Sequence, residues 1–198
     1  MILIEQTQVP DAALPVAEFR EHLQLGSGFA DDGLQDPVLV SQLRAAIAAI
    51  EARTSKALIA RDFLLVNAAW RSLGRQVFPV APVSQIASLT IVDLQGGDTV
   101  IDANAYRLAR DTHVPALVSI GLSLPTIPVG GSADIGFTAG YGAWAEVPAD
   151  LRQAVFLLAA HYYDNRSQSV SRAANLPLGV VSICRQHTPV RLVGARRI

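Results

Sequence analysis

The sequence predicts an α+β fold. A small helical bundle of two N-terminal helices and one long C-terminal helix carries an inserted antiparallel β subdomain and ends in an extended arm. Three observations predict it. Apolar residues recur at helical spacing near the N-terminus and again after Pro148. Between Arg61 and Ala139 that period gives way to β-branched residues, prolines and turn dipeptides. From Asn165 onward there is no acidic residue, and Arg166, Arg172, Arg185, Arg191, Arg196 and Arg197 make the end basic. The corresponding division is a helical body at 1–60 and 140–170, a β-rich insertion at 61–139 and an extended basic arm at 171–198. With 198 residues, 51% of them hydrophobic, the chain has material for one core, or for a core and a small satellite.

The first helix is expected in LPVAEFREHLQL, where Pro15 suits a first turn and Val16, Phe19 and Leu23 share a face; the glycines of GSGFADDG end it. In the second, Asp36 is a candidate cap, Pro37 fits the first helical position, and Leu39, Leu43, Ala46, Ile47 and Ile50 keep the helical period. DFLLVNAAW reads as a strand and FPVAPV as a proline-punctuated link. SQIASLTIVDL and TVIDANAYRLA read as a hairpin across Gly96-Gly97. PALVSI and ADIGFTA are further strands, the latter alternating Ile135, Phe137 and Ala139 with Asp134, Gly136 and Thr138. Pro148 opens the long helix, with Asp150 at its positive end. Leu151, Ala154, Val155, Leu158, Ala159 and Tyr162 form one apolar stripe of that helix. Phe156, Leu157, Ala160 and Tyr163 add apolar surface elsewhere, so it needs cover on nearly all sides. That cover comes either from the rest of the chain or from neighbouring subunits.

Chemistry-bearing motifs are few. Gly140, Gly142 and Ala145 match G-x-G-x-x-A, and Asp164 follows at the spacing of a dinucleotide site. In such a site the glycines themselves open the helix. Here Glu146, Val147 and Pro148 intervene, and Glu146 would repel a phosphate, so the reading is a tight strand-to-helix turn and no cofactor. GLSLP around Ser123 lacks the glycine of a nucleophile elbow, and Asp111, His113 and Ser123 are grouped only in sequence. The four histidines show no metal-ligand spacing; His161 with Asp164 lacks a third ligand, and Asp31, Asp32 and Asp36 do not follow a calcium-loop pattern. Cys184 is the single cysteine, which excludes an internal disulfide and suits a reducing compartment. The N-terminal residues lack the basic and apolar regions of a signal peptide, and no apolar run reaches the roughly 18 residues of a membrane span. A cytoplasmic chain is expected.

Charge is distributed unevenly: the first 164 residues hold 10 basic against 17 acidic residues, so an acidic body bears a basic end. Leu176, Leu178, Ile183 and Leu192 lie among the arginines of that end, a mixture that calls for burial against something. Because Pro177 and Pro189 interrupt sheet pairing, an arm lying on a partner is favoured over a final strand of the chain's own sheet. A DNA-binding module using this basic tail is the alternative. The acidic Glu18, Glu21, Asp31, Asp32 and Asp36 of the N-terminal helical pair oppose it.

Several stretches follow one another in a distinctive order: LPVAEFREHLQL, then LVSQLRAAIAAIEARTSKAL with its E-x-x-T-x-x-x-L ending, then PVAPVSQIASL, then ADIGFTAGYGAWAEVPADLRQAVFLLAAHYYDNR. In that order, over about residues 14–166, the chain resembles the head-tail connector, or adaptor, proteins of long-tailed bacteriophages and phage-like gene transfer agents, in the subgroup with a β insertion between the helices. The resemblance implies a structural virion protein without catalytic residues, cofactor or metal. Copies would form a ring, expected to be twelve-fold, between the portal protein and the stopper or tail-completion protein, with DNA passing through without sequence-specific binding. The chain would then reside at the head-tail junction of the particle, and in the cytoplasm before assembly. On this reading Arg185, Arg191, Arg196, Arg197, Leu176, Leu178, Ile183 and Leu192 would bind the portal. Leu151, Val155, Phe156, Leu158, Ala159 and Tyr162 would pack the core and neighbouring subunits.

Overall fold

A computed structural model describes residues 1–24, 35–165 and 176–188. The helical body is assembled from both ends of the chain. Helix α1 (Val16–His22) and helix α2 (Asp36–Thr54) precede the insertion; helix α3 (Ala149–Asp164) and helix α4 (Leu178–His187) follow it. Leu39, Leu43 and Ile50 of α2 meet Leu151, Val155 and Leu158 of α3, and Phe19, Val180 and Cys184 close the same core from α1 and α4. Pro37 falls in the first turn of α2 as expected, but Asp36 does not cap it. The flanking Gln35 makes no side-chain cap, and the Asp36 carboxylate pairs with Arg20, tying α1 to α2. The other end of α2 explains the E-x-x-T-x-x-x-L pattern. Ser55 turns left-handed at φ 53°, the Thr54 hydroxyl donates to the Ile50 carbonyl, and Glu51 Oε1 accepts the Leu58 amide at 2.7 Å.

The insertion, joined by one strand from the N-terminal residues, forms two antiparallel sheets packed face to face. The larger has the order β1-β2-β8-β4-β5, from β1 (Ile2–Glu5), β2 (Arg61–Asn67), β8 (Ser132–Ala139), β4 (Val83–Val92) and β5 (Asp98–Val100). The smaller is β3-β7-β6, from β3 (Arg75–Val77), β7 (Ala116–Ser119) and β6 (Tyr106–Ala109). Phe63, Leu65, Leu89, Ile135 and Phe137 of the first sheet and Leu117 and Tyr106 of the second fill the space between them. In β8, Ile135, Phe137 and Ala139 are buried and Asp134 and Thr138 half-buried as the alternation predicts, but Gly136 on the second face is buried too.

Three expectations are corrected. The hairpin across Gly96-Gly97 forms, but pairs only Thr90–Val92 with Asp98–Val100. Asp102 then accepts the Asn104 amide, a short 3-10 turn ends the strand, and Tyr106–Ala109 crosses to the second sheet. ILIE at the N-terminus, where no strand was expected, pairs with β2 as an edge strand. The stretch read as the start of an extended arm is helical at Leu178–His187, with Pro177 as its N-cap; that proline excludes sheet pairing but starts a helix well. No helix among the described residues is long and apolar enough to cross a membrane.

Candidate assembly interface

The C-terminal residues expected to bind a partner divide into three groups. Leu176 and Ile183 are half-buried against the helical core of their own chain, so their apolar surface is largely used at home. Leu178, 88% exposed, and Arg185 face outward. Arg191, Leu192, Arg196 and Arg197 lie outside the described residues. Helix α4 is fastened by more than Val180 and Cys184. His187 Nε2 lies 2.5 Å from Asp150 Oδ2 at the start of α3, and the Thr188 hydroxyl lies 2.7 Å from the Cys184 carbonyl, to which it donates, and 3.3 Å from that of Arg53.

Burial opposes ionisation of Asp150, but the hydrogen bonds from His187 and from the Leu151 amide outweigh it and hold the carboxyl below the usual aspartate range. The folded pKa is therefore lower than the unfolded one. The stability that comes from ionised Asp150 is present above the ordinary aspartate value of about 4 and is lost as pH falls through the folded value. Since Asp150 is partly solvated, the contribution is about 1 kcal/mol or less. Cys184 reports on it, because burial pushes the thiol up and the sulfur is covered while α4 is docked. Asp150→Asn is expected to raise the rate of Cys184 modification by a disulfide-exchange reagent about two- to fivefold at pH 7. An unchanged rate would show that the contact between His187 and Asp150 does not hold the helix.

The α3 residues expected to serve subunit packing are buried within the chain. Leu151, Val155, Leu158 and Ala159 have no accessible surface and Tyr162 is nearly covered, so these five have no side-chain surface left for a neighbour; Phe156 alone of the six is half-exposed. Of the two sources of cover that the sequence leaves open, the rest of the chain supplies it for this stripe, through α2 and the C-terminal helix α4. Phe156 stacks on Phe19 at 5.9 Å between ring centres and tilts against Trp144 at 5.5 Å.

The glycine loop is a packing device. Gly140 and Gly142 both have positive φ, 131° and 130°. A Cβ on Gly142 would fall on the Glu146 carboxylate, which turns back to accept the Ala143 amide at 2.8 Å. The acid thus occupies the loop where a phosphate would have to sit. Asp111 commits its carboxylate to the amides of His113 and Val114, while His113 Nδ1 faces Lys56 Nζ at 3.3 Å, and Ser123 joins neither of them in a hydrogen bond. Among the described residues no three His, Cys, Asp or Glu side chains are grouped to hold a metal; His161 has Asn165 beside it, and Asp31 and Asp32 lie outside the described residues.

An ion cluster fastens the body to the large sheet. Arg61 at the start of β2 forks onto Glu51 of α2, with Nη1 to Oε1 at 3.0 Å and Nη2 to Oε2 at 2.7 Å, while its Nε lies 2.9 Å from Glu5 of β1. Beyond Glu5, β1 stands at the edge of the sheet with all four residues exposed, Ile2, Leu3 and Ile4 among them. At the other edge of the same sheet Leu94, Val100 and Val129 are exposed around the β4–β5 turn. Neither apolar edge was identified from sequence. The signal was available in the unalternated ILI, but a three-residue apolar run does not announce a strand.

Solved structures with the same architecture are assembly components. A chain from the neck of an empty GTA particle, computed with C6 symmetry, is 49% identical and superposes with a TM-score of 0.90, covering 100% of both chains. A chain from the virion of a native gene transfer agent (GTA) particle is 49% identical with a TM-score of 0.88, again over 100% of both. A third, from the neck of a native GTA particle computed with C12 symmetry, is 45% identical with a TM-score of 0.84 and covers 100% of both chains. No protein-family model matches the sequence, and a search of curated proteins gives no match.

Proposed function

Because the chain belongs to the head-tail connector family of gene transfer agent necks, we propose that it is the adaptor of such a neck: a structural protein whose copies form a ring between the portal and the stopper or tail-completion protein, with DNA passing through the centre. The observation that carries this reading is full-length likeness at 49% identity to a neck chain, with no part of either chain unmatched. Six-fold and twelve-fold symmetry of the related necks supports a closed ring, and twelve copies is the number proposed. The DNA-binding alternative rests on the basic end of the sequence alone.

Portal contact is assigned to the outward side of α4, with Leu178 and Arg185, and to the residues beyond it, with Arg191, Leu192, Arg196 and Arg197. A basic, apolar-dotted end suits docking on an acidic partner surface. Removal of residues 175–198 would be a poor test, since it takes α4 out of the core. Removal of 189–198 is the appropriate one. The shortened protein is expected to keep its helical content and unfolding temperature while losing co-migration with portal-bearing heads. Undiminished attachment would overturn the docking assignment. The ring itself is tested by native mass spectrometry of the full chain mixed with cognate portal, where a complex of portal and multiple adaptor copies is expected and a persistent free monomer would count against the function.

A further inference from the structure

We infer that neighbouring copies in the ring join sheet to sheet, with strand β1 of one copy lying alongside strand β5 of the next. This rests on the ring reading above and specifies its subunit contact. Strand β1 is an edge without the usual guards: Ile2, Leu3, Ile4 and Glu5 include no lysine or proline, and the pairing with β2 runs without a bulge. Ile2 is 62% exposed and Ile4 45%, and both stand on the sheet face shared with their cross-strand partners Val66 and Leu64, which are half-buried. Backbone groups on the outer side of β1 have no strand beside them among the described residues. An apolar ribbon of this kind is a template for another strand.

The opposite edge offers one place to receive it. Register shifts between Val83 and Gln85 and between Ile86 and Ser88 disrupt the part of β4 that β5 does not cover, which blunts that stretch. What remains regular is β5, where Val100 is 74% exposed. Leu94 and Val129 add apolar surface at the same corner, brought together because the Leu94 side chain lies against Gly130.

Closure of a ring requires more than two sticky edges. A heterologous contact closes only if the two surfaces meet after a pure rotation, which leaves height along the axis unchanged. The register of the large sheet meets this condition when its strands run along the ring axis. One row of cross-strand partners runs Ile2, Val66, Asp134, Thr90 and Val100, so the two exposed residues lie on the same rung at opposite edges. Every step across the sheet is antiparallel, and four such steps leave β1 and β5 pointing the same way. A rotated copy therefore offers β1 parallel to β5 and level with it.

The contact can be trapped. In a Cys184→Ser background, Ile2→Cys combined with Val100→Cys is expected to give, on oxidation of assembled necks, a ladder of disulfide-linked oligomers on a non-reducing gel, because neighbouring strands bring such residues within bonding range. Each single substitution should stay monomeric. A benzophenone amino acid at position 100, in an otherwise unaltered chain, should photo-link to the N-terminal peptide of another copy, so that a folding defect of the double variant does not decide the matter. Necks that contain the protein but yield no ladder, and that link position 100 to another region or another protein, would overturn the strand contact while leaving the adaptor function standing. A chain that never enters a ring would remove both.

Discussion

Arg61→Ala is expected to lower the unfolding free energy by about 3–5 kcal/mol, because it strands a nearly buried carboxylate. Glu51 would keep only the Leu58 amide as a partner after losing both arms of the guanidinium. The side chains of Arg61 and Glu51 are only 10% and 13% exposed, so the carboxylate left behind would be poorly hydrated. Glu5, 40% exposed, is resolvated and contributes little to the loss. The Arg61 side chain also lies over the Phe63 ring at 5.0 Å, and that packing goes with it. Urea unfolding followed by circular dichroism measures the change. Arg61→Met with Glu51→Gln should recover a good part of it, since the amide oxygen can still accept from Leu58 while no charge is left unpaired. A single-variant loss under about 1 kcal/mol would mean that the cluster behaves as an ordinary surface pair.

Gly140→Ala should be nearly as damaging, at about 3–5 kcal/mol, from backbone strain and overlap combined. Its φ of 131° is one that alanine rarely adopts. The added methyl would also overlap the Ala60 backbone and approach the Ile59 carbonyl carbon to 2.7 Å. Those atoms are fixed by the bonds that close the base of the insertion, from the Ala60 amide to the Gly142 carbonyl and from the Tyr141 amide to the Leu58 carbonyl. Gly142→Ala has similar strain but meets the side chain of Glu146, which can swing away, so it should be the milder of the two. Thermal unfolding of both variants settles the ranking, and equal losses would show that strain alone matters.

Much of the fold was legible because local signals and tertiary demands agreed. Pro37 and Pro148 marked helix starts, the apolar spacing of α2 and α3 matched the faces that are buried, and the alternation of β8 matched its pleat. Failures came where a residue type supports two structures. Pro177 breaks strands but equally begins a helix, and Leu176, Val180, Ile183 and Cys184 recur at helical spacing across it. Asp36 looked like a cap, whereas Arg20, distant in sequence, claims its carboxylate. The functional surfaces were less legible still. Apolar residues at sheet edges are informative only once the strand order is known, and that order joins residues 2, 66, 134, 90 and 100 in one row. The apolar stripe of α3 expected from sequence is buried, and α2 and α4 of the same chain cover it.

The two halves of the helical core, α2 and α3, lie on either side of the entire insertion. During synthesis the face of α2 bearing Leu39, Leu43 and Ile50 leaves the ribosome with only α1 available to meet it, and its main cover follows a whole β subdomain later. The sheet has the same delay, since β2 acquires its inner neighbour only when β8 has been made. A nascent chain thus leaves the apolar face of α2 without its main cover until α3 has been made. Both edges of the large sheet depend on β8 at its centre, so a chain cut short before Ala139 has no such sheet to present.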